Sequence, residues 1–324
     1  RFKEETADSP EEAQRWLDGD ASARRPPELL TRDVVAKSIM KEVEAGRGSA
    51  HGGAYLDIAS RRDGEYIKRK LPSMYHQFKQ LADIDITKEP MEVGPTTHYV
   101  MGGIRVDADT QLSTLPGLFA AGECAAGING ANRLGGNSLS DLLVFGQRAG
   151  EHAAKFAKAN EVGHVNEDQV GQVAREAVAP FDRPDGPIAD GPYQVQYDLQ
   201  RLMQDLVGIV RTEEEIVRAI DGIGRLWERA RNVRVYGNRE YNNGWHTALD
   251  LQNLLTVAES IAKSAVERKE SRGGHFRDDY PSKVDEFSKF NHVVRKGEDG
   301  RMQVSRRPLP QIPSELKKII EDNQ

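Results

Sequence analysis

The sequence predicts an α+β or α/β protein of more than one domain, and three observations carry that expectation. At 324 residues the chain is about twice the length of a typical ~150-residue domain. Residues 98–150 read as an extended run, a short apolar strand, a glycine-dense loop and a helix, the succession that builds α/β layers. Beyond residue 190 come three long helical patterns and then a hairpin pattern, which suit a helical bundle and a small β element. With 38% hydrophobic and 30% charged residues, the composition supports a buried core and excludes a wholly disordered chain.

Taken in order, PEEAQRWLDG reads as a surface helix, whereas the following RRPPELL is too rich in proline for one. Ala36, Ile39, Met40 and Val43 then fall at i, i+3, i+4 and i+7, one apolar stripe on a helix ending at Gly46. Thr31 is its expected N-cap, and Asp33 complements the dipole of its first turn. AYLDIA suggests a strand, SMYHQFKQLA a helix and GLFAAG a second strand, with a small-residue helix from about Ser138. Residues 165–190 are polar, with PFDRPDGPIADGP as a linker. Helical patterns follow near Val195–Val210, Glu213–Val233 and His246–Arg272. The last holds Leu251, Leu254, Leu255, Ala258, Ile261, Ala262 and Ala265 on one face. NHVVRKGEDGRMQVSRR alternates about GEDG as a hairpin does, and SELKKIIEDN predicts a closing helix.

Several functions are excluded at this level. The net charge of −6, from 51 acidic and 45 basic residues, gives no global positive field to draw the chain onto nucleic acid. A single cysteine, Cys124, rules out an internal disulfide and any cysteine-ligated iron–sulfur cluster held by this chain alone. Cys124, Trp16, Trp227 and Trp245 read as packing residues. The remaining histidines show no metal-ligand spacing such as HExxH, so no metal site is expected. No stretch reaches the ~20 apolar residues that cross a bilayer, and RFKEETADSP lacks the features of a secretory signal. The chain opens on Arg1 and is expected to be a piece of a longer protein.

The residues that suggest chemistry cluster between 98 and 139. Gly127, Gly130, Gly135 and Gly136 lie inside ten residues, a density that lets backbone N–H groups approach a ligand. The helix beginning at Asn137, Ser138 and Leu139 presents free N–H groups and a positive dipole end. Arg133, inside the loop, has the planar fork that grips a carboxylate, although a solvated arginine in a surface turn has the same composition. His98, before YVMGG, could donate to a carboxylate or serve as a structural histidine. Glu123 closes GLFAAGE, where ligands collect at strand ends, or is an ordinary strand-end charge. Arg32 stands at a helix start. An arginine keeps its proton in water, so pairing with a carboxylate is the ordinary alternative to acid–base work.

PTTHYVMGGI, LPGLFAAGE and GANRLGGNSLSDLLVFG closely resemble the flavoprotein subunit of succinate dehydrogenase and fumarate reductase, as do TRDVVAKSI and ESRGGHFRDDYP. The resemblance runs from Arg1 to the C-terminus. It implies the end of a capping domain over residues 1–97, a returning segment of a Rossmann-like FAD-binding domain over 98–158, a helical domain of three helices over 159–268, and a small C-terminal hairpin domain over 269–324. No GxGxxG fingerprint and no flavin-linking histidine stand here, so the resemblance implies the rear half of such a subunit. This span alone is expected to hold flavin weakly and to be inactive.

Carried over by position, the resemblance makes Arg32 the acid–base residue, His98 and Arg133 the ligands of the substrate carboxylates, and Glu123, Ser138 and Leu139 contacts to FAD. Glu28 and Asp33 are candidate proton partners of Arg32. The implied reaction interconverts succinate and fumarate, and the implied partners are membrane anchor subunits and an iron–sulfur subunit. The implied location is peripheral, on the cytoplasmic or mitochondrial matrix face of a membrane. Asn129 stands where many relatives carry histidine before GANR, replacing a titratable group by one that only hydrogen-bonds. Within the same fold, L-aspartate oxidase is the alternative enzyme, although its usual Ala-Ser pair after NRL is missing here. The alternative of a different class is a non-catalytic assembly module whose bundle docks an iron–sulfur partner.

Overall fold

The computed structural model describes residues 6–26, 29–30, 32–184 and 191–322. It shows a mixed α+β chain of two compact units, Arg1–Val100 and Met101–Gln324.

In the first unit, α1 (Pro10–Leu17) starts where the Ser9 hydroxyl accepts the Glu12 N–H, a side-chain N-cap. Helix α2 (Arg32–Glu44) carries the expected stripe, each of whose members is half-buried. Gly46, at φ +73°, follows it and donates back to the Val43 carbonyl, a left-handed C-terminal stop. Thr31 and Glu28 lie outside the described residues.

The strand expected at AYLDIA is confined to β1 (Ala54–Leu56), which pairs antiparallel with β2 (Met91–Val93). Between them lie α3 (Gly64–Lys70) and α4 (Pro72–Leu81), and a small core forms from Ile67 of α3, Ile86 after α4 and Met91 of β2, packed by Tyr75 and Phe78 of α4.

The second unit opens with an irregular stretch. GLFAAG is not a strand: Gly117 (φ +85°) and Gly122 (φ +73°) bracket it in left-handed conformations. Only four extended residues remain between them, and Phe119 makes a single bridge to Leu112. A short 3₁₀ turn, Gly122–Cys124, leads into the glycine loop. Cys124 is exposed and does not serve as packing.

Helix α5 (Asn137–Ala159) follows the loop. The polar stretch after it contains a helix that composition concealed, α6 (Glu167–Asp182). The Asn166 side chain caps it by accepting the Gln169 N–H, and Val170, Val173, Ala174 and Ala177 hold the helical period.

The main core forms where α7 (Pro192–Leu206), α8 (Glu213–Ala230) and α9 (Asn243–Glu267) pack together. Thr212 and Glu215 build a reciprocal capping box at the start of α8, which satisfies two otherwise orphaned donors. Val195 and Leu199 meet Ile216, Ala219, Ile223 and Leu226, and Leu251, Leu255, Ala258 and Ala262 complete the seam. Trp227 and Trp245 pack against its margin, and the Trp245 indole donates to the Ala177 carbonyl at 2.6 Å, tying α6 to α9.

Helix α9 stops at Glu267 instead of running to Arg272, because its last carbonyls are taken from outside. Arg277 donates to Ala265 and Val266, and the His275 ring donates to Arg268.

The hairpin β3 (Phe290–Lys296) and β4 (Met302–Pro308) pairs in register from Phe290 with Pro308 to Lys296 with Met302. Helix α10 (Ser314–Asp322) ends the described chain. Among the described residues, no helix is long and apolar enough to cross a membrane.

Candidate functional site

The second unit gathers Glu123, Arg133, Ser138 and Leu139 around the start of α5. Gly122 allows this closeness: a Cβ there would lie 2.5 Å from Leu142 Cδ2, so the 3₁₀ turn carrying Glu123 sits directly against α5. The segment 104–106 runs beside 124–126, with Ile104 N–H donating to Cys124 O at 2.7 Å and Ala126 N–H returning to Ile104 O at 2.9 Å. Phe156, farther along α5, stacks edge-on with Phe119 at 6.2 Å. One side of α5 is thereby fastened to the turn.

Its remaining surface is open. Leu139 and Leu143, one helical turn apart, are 68% and 75% exposed. The loop before them has left-handed glycines at 127, 130 and 136, and a Cβ built on any of these three would meet nothing within 4 Å. Gly136 is the N-cap residue at φ +86°, with no side-chain cap on the helix. First-turn N–H groups, an open glycine backbone and an apolar shoulder together form a cradle that suits a flat, anionic cofactor with an aromatic ring.

Arg133 is half-buried in that loop and donates from Nη1 to the neighbouring Leu134 carbonyl at 3.2 Å. Glu123 is exposed, Ser138 is half-buried, and Asn129 sits half-buried in the glycine loop. In the first unit, Arg32 is exposed at the first residue of α2. Asp33, beside it, pairs with Lys37 at 3.7 Å, and His98 is exposed in the extended run after β2.

A second cluster, which sequence reasoning noted only as a family signature, closes around residues 268–281. Glu270, fully buried, accepts from Arg272 Nε and Nη2 at 2.9 Å each. His275 is half-buried between two fixed partners: Arg211 Nη1 donates to Nδ1 at 3.1 Å, and Nε2 donates to the Arg268 carbonyl at 3.0 Å. That pattern requires the neutral ring. Burial first, and the Arg211 charge second, push its pKa down to about 4. The turn Arg272–His275 touches the glycine loop through Gly274, whose N–H donates to Ala131 O at 3.0 Å. The adjacent glycine pair in SRGGH was the legible signal for this contact.

Comparison with known proteins fits this geometry. Residues 5–139 match the FAD binding domain family, and residues 196–318 match the family described as fumarate reductase flavoprotein C-term. The first of these defines the class, that of flavoproteins with FAD as their cofactor.

The chain belongs to the family of succinate dehydrogenase and fumarate reductase flavoprotein subunits. With the succinate dehydrogenase flavoprotein subunit of Coxiella burnetii it shares 35% identity over 303 residues, or 88% and 51% of the two chains. It is 34% identical over 300 residues to the fumarate reductase flavoprotein subunit of Haemophilus influenzae, covering 90% of this chain and 49% of that one. The solved structure of Mycobacterium smegmatis Sdh1 in complex with UQ1 superposes with a TM-score of 0.83 at 50% identity, covering 92% of this chain and 50% of that one. The chain spans about half the length of the curated relatives it matches.

Proposed function

We propose that this chain supplies the substrate clamp, the proton-transferring arginine and part of the flavin cradle of an enzyme that interconverts succinate and fumarate. One observation carries the reading: the FAD binding domain match over residues 5–139 takes in all six residues named for it. In this reading residues 1–97 end a capping domain and 98–158 return to the FAD-binding domain. Residues 159–268 form a helical domain and 269–324 a C-terminal domain.

His98 and Arg133 each hold one carboxylate of the four-carbon diacid. Arg133 does so by two parallel charge-assisted hydrogen bonds and His98 by one. Fixing both ends orients the two central carbons and polarises their C–H bonds, which lowers the barrier through position and preorganised charge. Bound FAD supplies the acceptor for the hydride that leaves one carbon. Arg32 first gives its own proton to a carboxylate, for which Asp33 is a candidate, and the neutral guanidine that remains takes the proton from the neighbouring carbon and becomes guanidinium again. In the reverse direction Arg32 returns that proton. Glu123, Ser138 and Leu139 hold the cofactor, the glutamate through ribose-type hydroxyls and the helix start through its N–H groups. Electrons leave for an iron–sulfur subunit. Anchor subunits hold the assembly at a membrane, with this chain peripheral.

The test is turnover by the full-length protein with an artificial electron acceptor. Oxidation of succinate is expected, and preference for L-aspartate overturns the substrate assignment. Colourless protein that is silent toward both supports the assembly-module alternative.

A further inference from the structure

We infer that Gly273 is a positioning residue for Arg133: the turn Arg272–His275 presses its backbone against Ala131 and pins the loop on which the arginine stands. The inference rests on the role proposed above for Arg133.

The loop has little stiffness of its own. It carries left-handed glycines at 127, 130 and 136 with open space around each, positions where the backbone has the most conformational freedom to lose. Arg133 must nevertheless present its fork in one orientation, since a misplacement of about 1 Å can cost about a hundredfold in rate. Rigidity therefore has to come from outside the loop, and Ala131, two residues ahead of Arg133, is where it enters.

The turn that meets Ala131 is firmly built. Its ends are joined by Arg272 N–H to His275 O at 2.8 Å and His275 N–H to Arg272 O at 3.1 Å. Arg272 is anchored through both side-chain bonds to buried Glu270, and the His275 ring is held between Arg211 and the Arg268 carbonyl. The turn reaches Ala131 in two ways. Gly274 N–H donates to the Ala131 oxygen at 3.0 Å. Gly273, at φ +59°, lies so near that a Cβ there would overlap the Ala131 carbonyl group and stand 2.9 Å from its Cβ. The obstacle is backbone, which cannot rotate aside, and the left-handed φ independently disfavours a side chain. Gly274 differs: a Cβ there would meet Met101 Cε at 3.0 Å, the end of a flexible side chain, and Ala131 O at 3.9 Å.

These neighbouring glycines give a paired test in the full-length protein: Gly273→Ala against Gly274→Ala. The readouts are succinate kinetics, inhibition by malonate as a shorter diacid, FAD content and thermal unfolding. Gly273→Ala is expected to raise both the succinate KM and the malonate inhibition constant at least about tenfold at unchanged FAD content, while Gly274→Ala stays within about twofold of wild type. Equal kinetics for Gly273→Ala and wild type overturn the inference. So does an activity loss that merely tracks lost FAD, because that marks a general structural fault.

Should Gly273→Ala fail to fold, His275→Ala removes the ring that braces the turn and leaves the turn's backbone intact. A several-fold rise in succinate KM is then expected, and an unchanged KM overturns the inference. Wild-type protein inert toward succinate and fumarate refutes the functional reading and the inference with it. An active wild type with an indifferent Gly273→Ala refutes the inference alone.

Discussion

The fully buried guanidinium of Arg277 faces the Asp279 carboxylate in a two-pronged ion pair, Nε to Oδ1 at 2.8 Å and Nη2 to Oδ2 at 2.7 Å. The same guanidinium donates from Nη1 to the Ala265 carbonyl at 3.1 Å and lies 4.9 Å from the Tyr280 ring centre. One side chain thus ends α9, orders the Asp278–Tyr280 segment and approaches Glu213 at the start of α8. Asp279 is held well below the usual carboxylate range, at about 2, chiefly by its hydrogen bonds from Arg277.

Replacing Arg277 by alanine strands the α9 carbonyls and takes the guanidinium from Asp279. Asp279 is exposed and stays hydrated without its partner, so the cost comes mainly from the stranded carbonyls, and urea unfolding of Arg277→Ala is expected to show a destabilisation of about 1–3 kcal/mol. Arg277→Lys recovers only part of it, because an ammonium cannot reproduce the planar fork. A change below about 1 kcal/mol in the alanine variant contradicts this account.

Arg133→Ala in the full-length protein is expected to lower kcat/KM for succinate at least about a hundredfold, the scale of losing a preorganised charged donor. The flavin absorption spectrum stays nearly intact, because the arginine grips substrate and leaves the cofactor to other residues. Arg32→Lys suppresses kcat far more than it raises KM, since it alters the proton step and not the carboxylate grip. Steady-state kinetics beside flavin spectra separate the two, and normal turnover in either variant retires its assignment.

The helical core was the most legible part of the sequence, because burial there follows a strict period. Leu251, Leu255, Ala258, Ala262 and Ala265 are buried as the α9 pattern requires, whereas Leu254, at the edge of the same stripe, remains 37% exposed. Helix α6 was hidden because its apolar residues are small or β-branched among charges, although the Asn166 cap and the Val170, Val173, Ala174, Ala177 spacing were present. GLFAAG misled for the opposite reason: an apolar run suggests a strand, but glycines at both ends deny it the length to pair. The contact of Gly273 with Ala131 joins segments far apart in the sequence, a closeness that no local period encodes. The roles of His98 and Arg133 came from resemblance, since each alone is an ordinary polar residue.

Gly224 offers a stabilising counterpart. It lies exposed inside α8, and a Cβ there would meet nothing within 4 Å. An interior helical glycine costs about 0.5–1 kcal/mol relative to alanine through backbone entropy. Gly224→Ala is therefore expected to raise stability by that amount in urea unfolding, with kinetics unaltered. A loss of stability shows that this face of α8 needs the space that the glycine leaves open.

His275 gives the fold a defined response to acid. Its ordinary pKa of 6.5 is pushed down to about 4 by burial and by Arg211, so the folded chain keeps the ring neutral where the unfolded chain takes up a proton. Stability contributed by the neutral ring is complete above about pH 6.5. It declines as the pH falls toward 4, with a slope of at most ~1.4 kcal/mol per pH unit for one proton. His292, pushed down to about 4 by burial and by Arg268 and Arg306, adds a second response of the same sign. Allowing for the partial exposure of His275, urea unfolding at about pH 7.5 and about pH 5 is expected to show wild type losing about 1 kcal/mol more than His275→Gln. Glutamine carries no titrating group, so its variant retains the His292 response alone. Parallel losses in the two proteins would mean that the ring titrates alike in both states, which is incompatible with an imidazole fixed between an arginine donor and a carbonyl acceptor.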